Sequence, residues 1–228
     1  MYNLLKVAIH QPNFLPYMGF FHKLTLADAF VIMDNTQYDK KFTNRNKIIV
    51  PNNWTWITIP INKSDKFSLN KDVRINNDIE WKTSHWKKLT RSYNNSAFFK
   101  TFSSQLKNIY DKNWENLFDF NYELLKWTFE ILGLKIEIIK ESELNINGAS
   151  SERLVNICKN IGAETYVSGI GGLNYITEEL FVKNSISLEY QNFIHPIYKQ
   201  NLSNNFIPNL SVIDILSNVG TKALSMLR

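Results

Sequence analysis

Short apolar runs separated by turn-forming residues open the chain. Residues 4–9 read as a first strand, 11–16 as a turn-rich loop, 18–26 as about two helical turns and 30–33 as a second strand. That succession is a βαβ beginning. The pattern then changes. Two short runs, 47–50 and 54–61, are split by Pro51-Asn52-Asn53, which predicts two strands joined by a tight connection. Pro60 marks a strand end because it cannot donate to a ladder, and the alternating Trp54 and Trp56 lie on one strand face. Farther on, apolar residues recur at helical spacing: Trp81, His85 and Leu89, then Phe98, Phe102, Leu106 and Ile109. Asp111 is the expected cap of a further helix through Trp114, Leu117, Phe120, Leu124 and Trp127, which Gly133 ends.

Alternation of strand and helix returns in the last third. Residues 135–139 read as a strand, and Ser150-Ser151-Glu152 opens a helix through Leu154 and Ile157 that Gly162 closes. A strand over 164–168 leads into a flexible glycine turn at 169, 171 and 172, a helix over 177–181 and a strand around 187–190. An Asn-rich loop at 200–205 and a closing helix over 211–218 complete the chain, and no internal repeat is found. The expectation is an α/β fold, a mostly parallel Rossmann-like sheet with a β-rich insertion at 38–79 and a central helical region at 80–133, all within one domain spanning 1–228.

Composition agrees with a packed core. The 228 residues include 44% hydrophobic positions, with 15 Phe, 10 Tyr and 6 Trp, which excludes a disordered chain. The net charge of +5 is spread along the chain without a basic groove, so no nucleic-acid partner is expected. Cys158 is the only cysteine and falls on an apolar helix face, which rules out an intrachain disulfide and a thiolate metal cluster. No basic stretch followed by an apolar run of about 7 to 15 residues marks a secretory signal, and no segment reaches the roughly 18 apolar residues of a membrane span, so a cytoplasmic location is expected. H-E-x-x-H, G-x-S-x-G and G-K-[ST] motifs are all absent.

The candidate chemistry gathers in loops after strands, where α/β sheets place ligands. His10, Gln11, Pro12 and Asn13 follow the first strand. His10 can bind an anion or accept a proton, and Gln11 and Asn13 each donate and accept hydrogen bonds; the same residues also fit a polar turn. Gly19 and His22 sit near the start of the following helix, where free backbone N–H groups favour an anion. Gly19 permits close approach, and His22 either joins His10 at one anion or packs beneath Phe20 and Phe21.

Asp34, Gln37 and Tyr38 follow the second strand. Asp34 can orient His10, bind a sugar hydroxyl or hold Mg²⁺ through water. Arg45 is a better oxyanion ligand than Lys40, Lys41 or Lys47 because it grips with two hydrogen bonds, although an exposed basic surface reads the same way. Ser168, Gly169, Gly171 and Gly172 can cradle a phosphate with Tyr175 stacking on a sugar or base, or they serve the backbone conformation alone; G-x-G-x-x-G spacing is missing. His195 and Tyr198 can complete a substrate pocket, Tyr198 offering a face to a hexose ring, or simply pack. His85, near Trp81, Trp86 and Leu89, is expected to be structural.

The run from Val7 to Phe21, VAIHQPNFLPYMGFF, resembles the WbqC-like protein family. The similarity continues in Ala27-Asp28-Ala29-Phe30-Val31, Asp34-Asn35-Thr36-Gln37-Tyr38 and Asn44-Arg45-Asn46, then in Tyr166-Val167-Ser168-Gly169, Gly171-Gly172, Tyr175, His195-Pro196-Ile197-Tyr198 and Ser211-Val212-Ile213-Asp214. The resemblance implies a place in bacterial surface-polysaccharide gene clusters and a role in transferring glycine or another acyl group to an amino sugar. A fainter resemblance links the first loop to nucleotidyltransferases and pantoate–β-alanine ligase. Here Pro16-Tyr17-Met18-Gly19 replaces the start of their H-x-G-H signature, and His22 falls three residues after Gly19.

These resemblances imply a transferase or ligase forming an amide on a nucleotide-linked amino sugar in O-antigen or capsule synthesis, with either ATP and Mg²⁺ or an acyl thioester as donor. His10, His22 and Asp34 would be catalytic. Gln11, Asn13, Gln37, Tyr38, Arg45, Tyr175, His195 and Tyr198 would bind substrate, and Gly19 with the Ser168, Gly169, Gly171 and Gly172 turn would bind the cofactor; no protein-held metal is assigned. The alternative is a noncatalytic sugar-nucleotide-binding protein, or one that assembles polysaccharide enzymes.

Overall fold

The computed structural model describes residues 5–227; Leu4, the expected start of the first strand, lies outside them. In chain order the elements are β1 (Lys6–His10), α1 (Met18–Thr25), β2 (Ala29–Ile32), β3 (Arg45–Val50), β4 (Asn53–Thr58), α2 (Trp81–Tyr93), α3 (Phe99–Asp111), α4 (Leu117–Leu132), β5 (Glu137–Lys140), α5 (Ser150–Asn160), β6 (Thr165–Ser168), α6 (Glu178–Lys183), β7 (Ser187–Tyr190) and α7 (Val212–Val219). They divide into two compact units. The first comprises the chain up to Gln11, Gly19–Thr36 and Lys135–Ile194, and the second Pro12–Met18, Gln37–Leu134 and the chain from His195 onward.

The first unit is a five-stranded parallel sheet in the order β5-β2-β1-β6-β7. The chain runs outward from β1 through β2 to β5, then returns to β6 on the other side of β1. Strand order therefore reverses between β1 and β6, and it is at the carboxyl ends beside such a reversal that open α/β sheets in general place ligands. Alternation along β1 sends Val7 and Ile9 to one face, where they join Val31, Leu154, Ile157, Cys158, Tyr166 and Phe181 in a core under α5 and α6. Ala8 and His10 share the opposite face, toward α1. The Cys158 thiol is fully buried in that core, and desolvation pushes its pKa up to about 12, which keeps it protonated at neutral pH.

The second unit holds the β3–β4 hairpin, paired from Arg45↔Thr58 to Val50↔Asn53, with Asn52 in the left-handed region at φ 51°. Its helices pack around Phe14, Trp81, His85, Tyr110 and Phe120, whose ring centroids lie 5.2 to 6.1 Å apart. Asp111 does not cap the last of these helices: it ends α3. Asn116 caps α4 instead, its side-chain oxygen accepting from the N–H groups of Phe118 (2.7 Å) and Asp119 (3.3 Å), so Trp114 stays outside the helix. Gly133 ends α4 in the left-handed conformation, φ 68°.

The β4 strand stops at Thr58, two residues before Pro60. The glycine turn after β6 is more ordered than its composition predicted, closing as a 3₁₀ helix over Ile170–Asn174. No helix among the described residues is long and apolar enough to cross a membrane.

Candidate functional site

Backbone geometry at the carboxyl ends of β1 and β6 defines the site in the first unit. Lys6 and His10 carbonyls accept from Asp28 (2.8 Å) and Met33 (2.9 Å) on the β2 side, whereas the Leu5 carbonyl accepts from Glu164 (3.0 Å) on the β6 side. Carbonyls alternate along a strand, so that of Ile9 faces β6. The β1–β6 ladder stops at Ala8↔Val167, one rung earlier. Gly169, still extended at φ −69° and ψ 156°, turns its N–H toward β1 because the preceding Ser168 carbonyl is engaged by Gln191 N–H of β7 at 2.9 Å. That Gly169 N–H has no acceptor among the described residues. The next rung is thus left open on both sides.

Lys23 fills half of this gap. Its ammonium reaches from α1 to donate to the Ile9 carbonyl at 2.9 Å, and the residue is only 3% exposed. Among the described residues it forms no ion pair. An ammonium in this setting is disfavoured by desolvation, which lowers the Lys23 pKa to about 7. Sequence reasoning missed Lys23, although it stands three residues after the buried Phe20, on an otherwise apolar helix face. Gln191, also missed, ties the start of α1 to this edge by donating to the Gly19 carbonyl at 3.1 Å.

His10 is the last residue of β1, half-buried and edge-on to Phe20 at 5.1 Å. Its Nδ1 lies 3.0 Å from the Gln11 carbonyl; a carbonyl only accepts, so Nδ1 carries the proton and Nε2 presents its lone pair. Burial, then the nearby Lys23 charge, push the His10 pKa down to about 3. Burial thus keeps the ring in its neutral form, with Nε2 as an acceptor.

His22 stands in the last turn of α1, not at its start, and packs on Phe193 at 5.3 Å; desolvation lowers its pKa. No described contact joins it to His10. Asp34 lies at the same sheet end but faces elsewhere, accepting from Ser142 N–H (2.8 Å) and Oγ–H (2.6 Å), so it links β2 to the segment after β5. In the β6 loop a methyl on Gly172 would come within 2.2 Å of Ser168 Oγ and 2.7 Å of Ile176 Cδ1, so that glycine serves internal close packing. Gly171 faces open space, Ser168 Oγ donates to the Gly169 carbonyl at 3.1 Å, and Tyr175 is exposed.

The remaining sequence-predicted residues belong to the second unit, except Gln11, whose carbonyl anchors His10. Asn13 is half-buried, and Gln37 is exposed on a bridge to Leu69. Tyr38 is buried with a hydroxyl lacking a hydrogen bond, and desolvation raises its pKa to about 12. Arg45 stacks on Trp56 at 4.4 Å and donates through Nε to the Lys41 carbonyl at 3.2 Å. His195 neighbours Phe206, with ring centroids 5.1 Å apart.

The Tyr198 hydroxyl donates to Asp214 at 2.8 Å, and Phe206 lies edge-on to its ring at 5.1 Å. His85 is structural as expected, its Nε2 3.0 Å from the Thr58 carbonyl. A surface cavity of about 320 Å³ in this unit, bordered by Asn77, Glu80, Trp81, Lys82, Trp114 and Glu115, contains none of the predicted site residues. No cluster of three or more His, Cys, Asp or Glu among the described residues is arranged to hold a metal.

Comparison with known proteins places this geometry in a family. The model of the WbqC-like protein family matches residues 11–226. An uncharacterized protein of Mycobacterium tuberculosis, Rv1507c, is 32% identical over 226 residues, covering 98% of this chain and 97% of its own. No solved structure matches the chain. With the family model spanning nearly its whole length, the chain belongs to the WbqC-like protein family.

Proposed function

We propose that the protein is an amide-forming transferase or ligase acting on a nucleotide-linked amino sugar, with its reaction at the carboxyl edge of β1 and β6. Family membership brings an association with surface-polysaccharide biosynthesis. The observation that carries the reading is His10: a neutral imidazole at the strand-order reversal, its Nδ1–H fixed on the Gln11 carbonyl and its Nε2 lone pair unengaged.

The amine nitrogen of the sugar attacks the carbonyl carbon of an activated acyl donor, forming the C–N bond. The N–H proton of the resulting tetrahedral intermediate passes to Nε2, because the negative charge that develops on the intermediate's oxygen beside the ring raises the basicity of the imidazole above its resting value. The leaving group then departs with its bonding electron pair, and the proton passes from His10 to it or to water. Gln11 sets the tautomer that makes this possible, and holding the two reactants at one sheet edge supplies the orientation.

The test is turnover. A nucleotide-linked amino sugar is incubated with ATP, Mg²⁺ and glycine, and separately with an acyl thioester, and products are read by mass spectrometry. The reading predicts an amino sugar heavier by one acyl group, and a rate reduced on the order of 100-fold or more in His10→Ala. Saturable binding without product under both donor conditions would contradict it in favour of a binding protein.

A further inference from the structure

We infer that Lys23, with the open Gly169 N–H, forms an oxyanion receptor at the β1–β6 edge, taking a phosphate group of the ligand. This rests on the proposed reaction site but names what is held there. Three observations carry it. The Lys23 ammonium is buried and has one described acceptor, the Ile9 carbonyl, for its three donors. The Gly169 N–H on the facing strand is directed to the same interrupted rung and is unpaired. No described carboxylate neutralises the lysine, so the site lacks the negative charge that a buried cation requires.

An oxyanion seated in the gap corrects all three deficits at once. It accepts from Lys23 Nζ and from Gly169 N–H, and it supplies the missing charge. The titratable group facing Lys23 is His10 on β1; β2 brings only Ala29–Ile32 and β6 only Thr165–Ser168, with the Tyr166 phenol directed to the opposite core. The bound anion therefore favours the charged lysine without competition from another acid. Burial holds free Lys23 near pKa 7, so binding above that pH requires uptake of one proton.

The experiment is isothermal titration of the full chain with sulfate, an anion of fixed charge across the range, at pH 6, 7, 8 and 9 in buffers of different ionisation enthalpy. Expected are uptake approaching one proton per anion at pH 9 and an affinity about tenfold weaker at pH 8 than at pH 6. In Lys23→Met the sulfate affinity falls on the order of 100-fold; circular dichroism confirms the fold. Lys23→Arg, permanently charged, keeps binding without proton uptake.

A parallel comparison of UDP with uridine identifies the source: tighter UDP binding with the same proton uptake indicates a nucleotide phosphate, and equal proton-linked affinity for UDP and sulfate a simple oxyanion. Sulfate binding that is independent of pH from 6 to 9, unchanged in Lys23→Met, or absent at millimolar concentration overturns the receptor. Because no turnover is read, that failure leaves the amide-forming reaction standing, and failure of the reaction leaves the receptor standing.

Discussion

Two buried ionisable groups without an ion-pair partner, Lys23 in the first unit and Asp214 in the second, show how differently one chain treats the same electrostatic problem. Asp214 is fully buried in the first turn of α7, and its Oδ2 accepts from Tyr198 (2.8 Å) and Gln200 Nε2 (2.9 Å). Gln200 Oε1 in turn accepts from Ile207 N–H at 2.8 Å, so the carboxylate fastens the loop before α7 to the helix. Lys23 is as deeply buried yet meets one carbonyl at a rung that the sheet leaves open. The first group is held by neutral donors from its own fold. The second is incomplete until something anionic arrives, which is the mark of a binding site rather than a support.

Mutations can break this contrast. The largest effect is expected at His10: His10→Ala reduces turnover on the order of 100-fold or more while the melting temperature stays near wild type, because the ring is half-buried and makes one backbone contact. Next is Lys23→Met, which loses anion affinity yet raises stability at neutral pH by on the order of a few kcal/mol, since it removes a buried cation. The sign follows from its lowered pKa. Between about pH 7 and the unfolded lysine value, the unfolded chain binds a proton that the folded chain does not, so wild-type stability rises with pH relative to the variant. Urea denaturation of both proteins from pH 7 to 9.5 shows that slope; parallel curves would remove the special status of Lys23.

Asp214→Asn should destabilise by about 1 to 3 kcal/mol through its hydrogen-bond network. Burial raises the Asp214 pKa to about 6, so here the folded chain binds the extra proton: relative to the Asn variant, wild type gains stability as pH falls from about 6 to 4. An identical pH slope in both proteins would contradict the assignment. The smallest effects compare two glycines of one loop. Gly172→Ala meets Ser168 and Ile176 and costs about 1 to 3 kcal/mol, whereas Gly171→Ala, in open space, changes stability by under about 0.5 kcal/mol. Thermal melts of both variants would reveal whether the loop follows that packing.

Local pattern made much of the fold legible. The alternation of short β-rich runs and helices predicts the parallel sheet, and the break at Pro51-Asn52-Asn53 locates the hairpin turn. Asp111 misled because a cap is set by which side chain reaches the free N–H groups, and Asn116 reaches them. At the proposed site, His10 and Gly169 were readable because one ends β1 and the other directly follows β6. Lys23 was not, since a lysine is expected in water unless its place on an apolar helix face is weighed against its charge. The hydrogen bond from Tyr198 to Asp214 was not legible, because it joins residues 16 positions apart only once the chain folds. Arg45 likewise finds Trp56 only once the hairpin forms.

The central claim, that an anion completes the open rung between β1 and β6, is tested most directly by a crystal structure with UDP. Phosphate density within hydrogen-bond distance of Lys23 Nζ and Gly169 N–H is the predicted result. Nucleotide bound at saturating concentration with its phosphates away from both groups, and Lys23 still bonded to the Ile9 carbonyl alone, would contradict it.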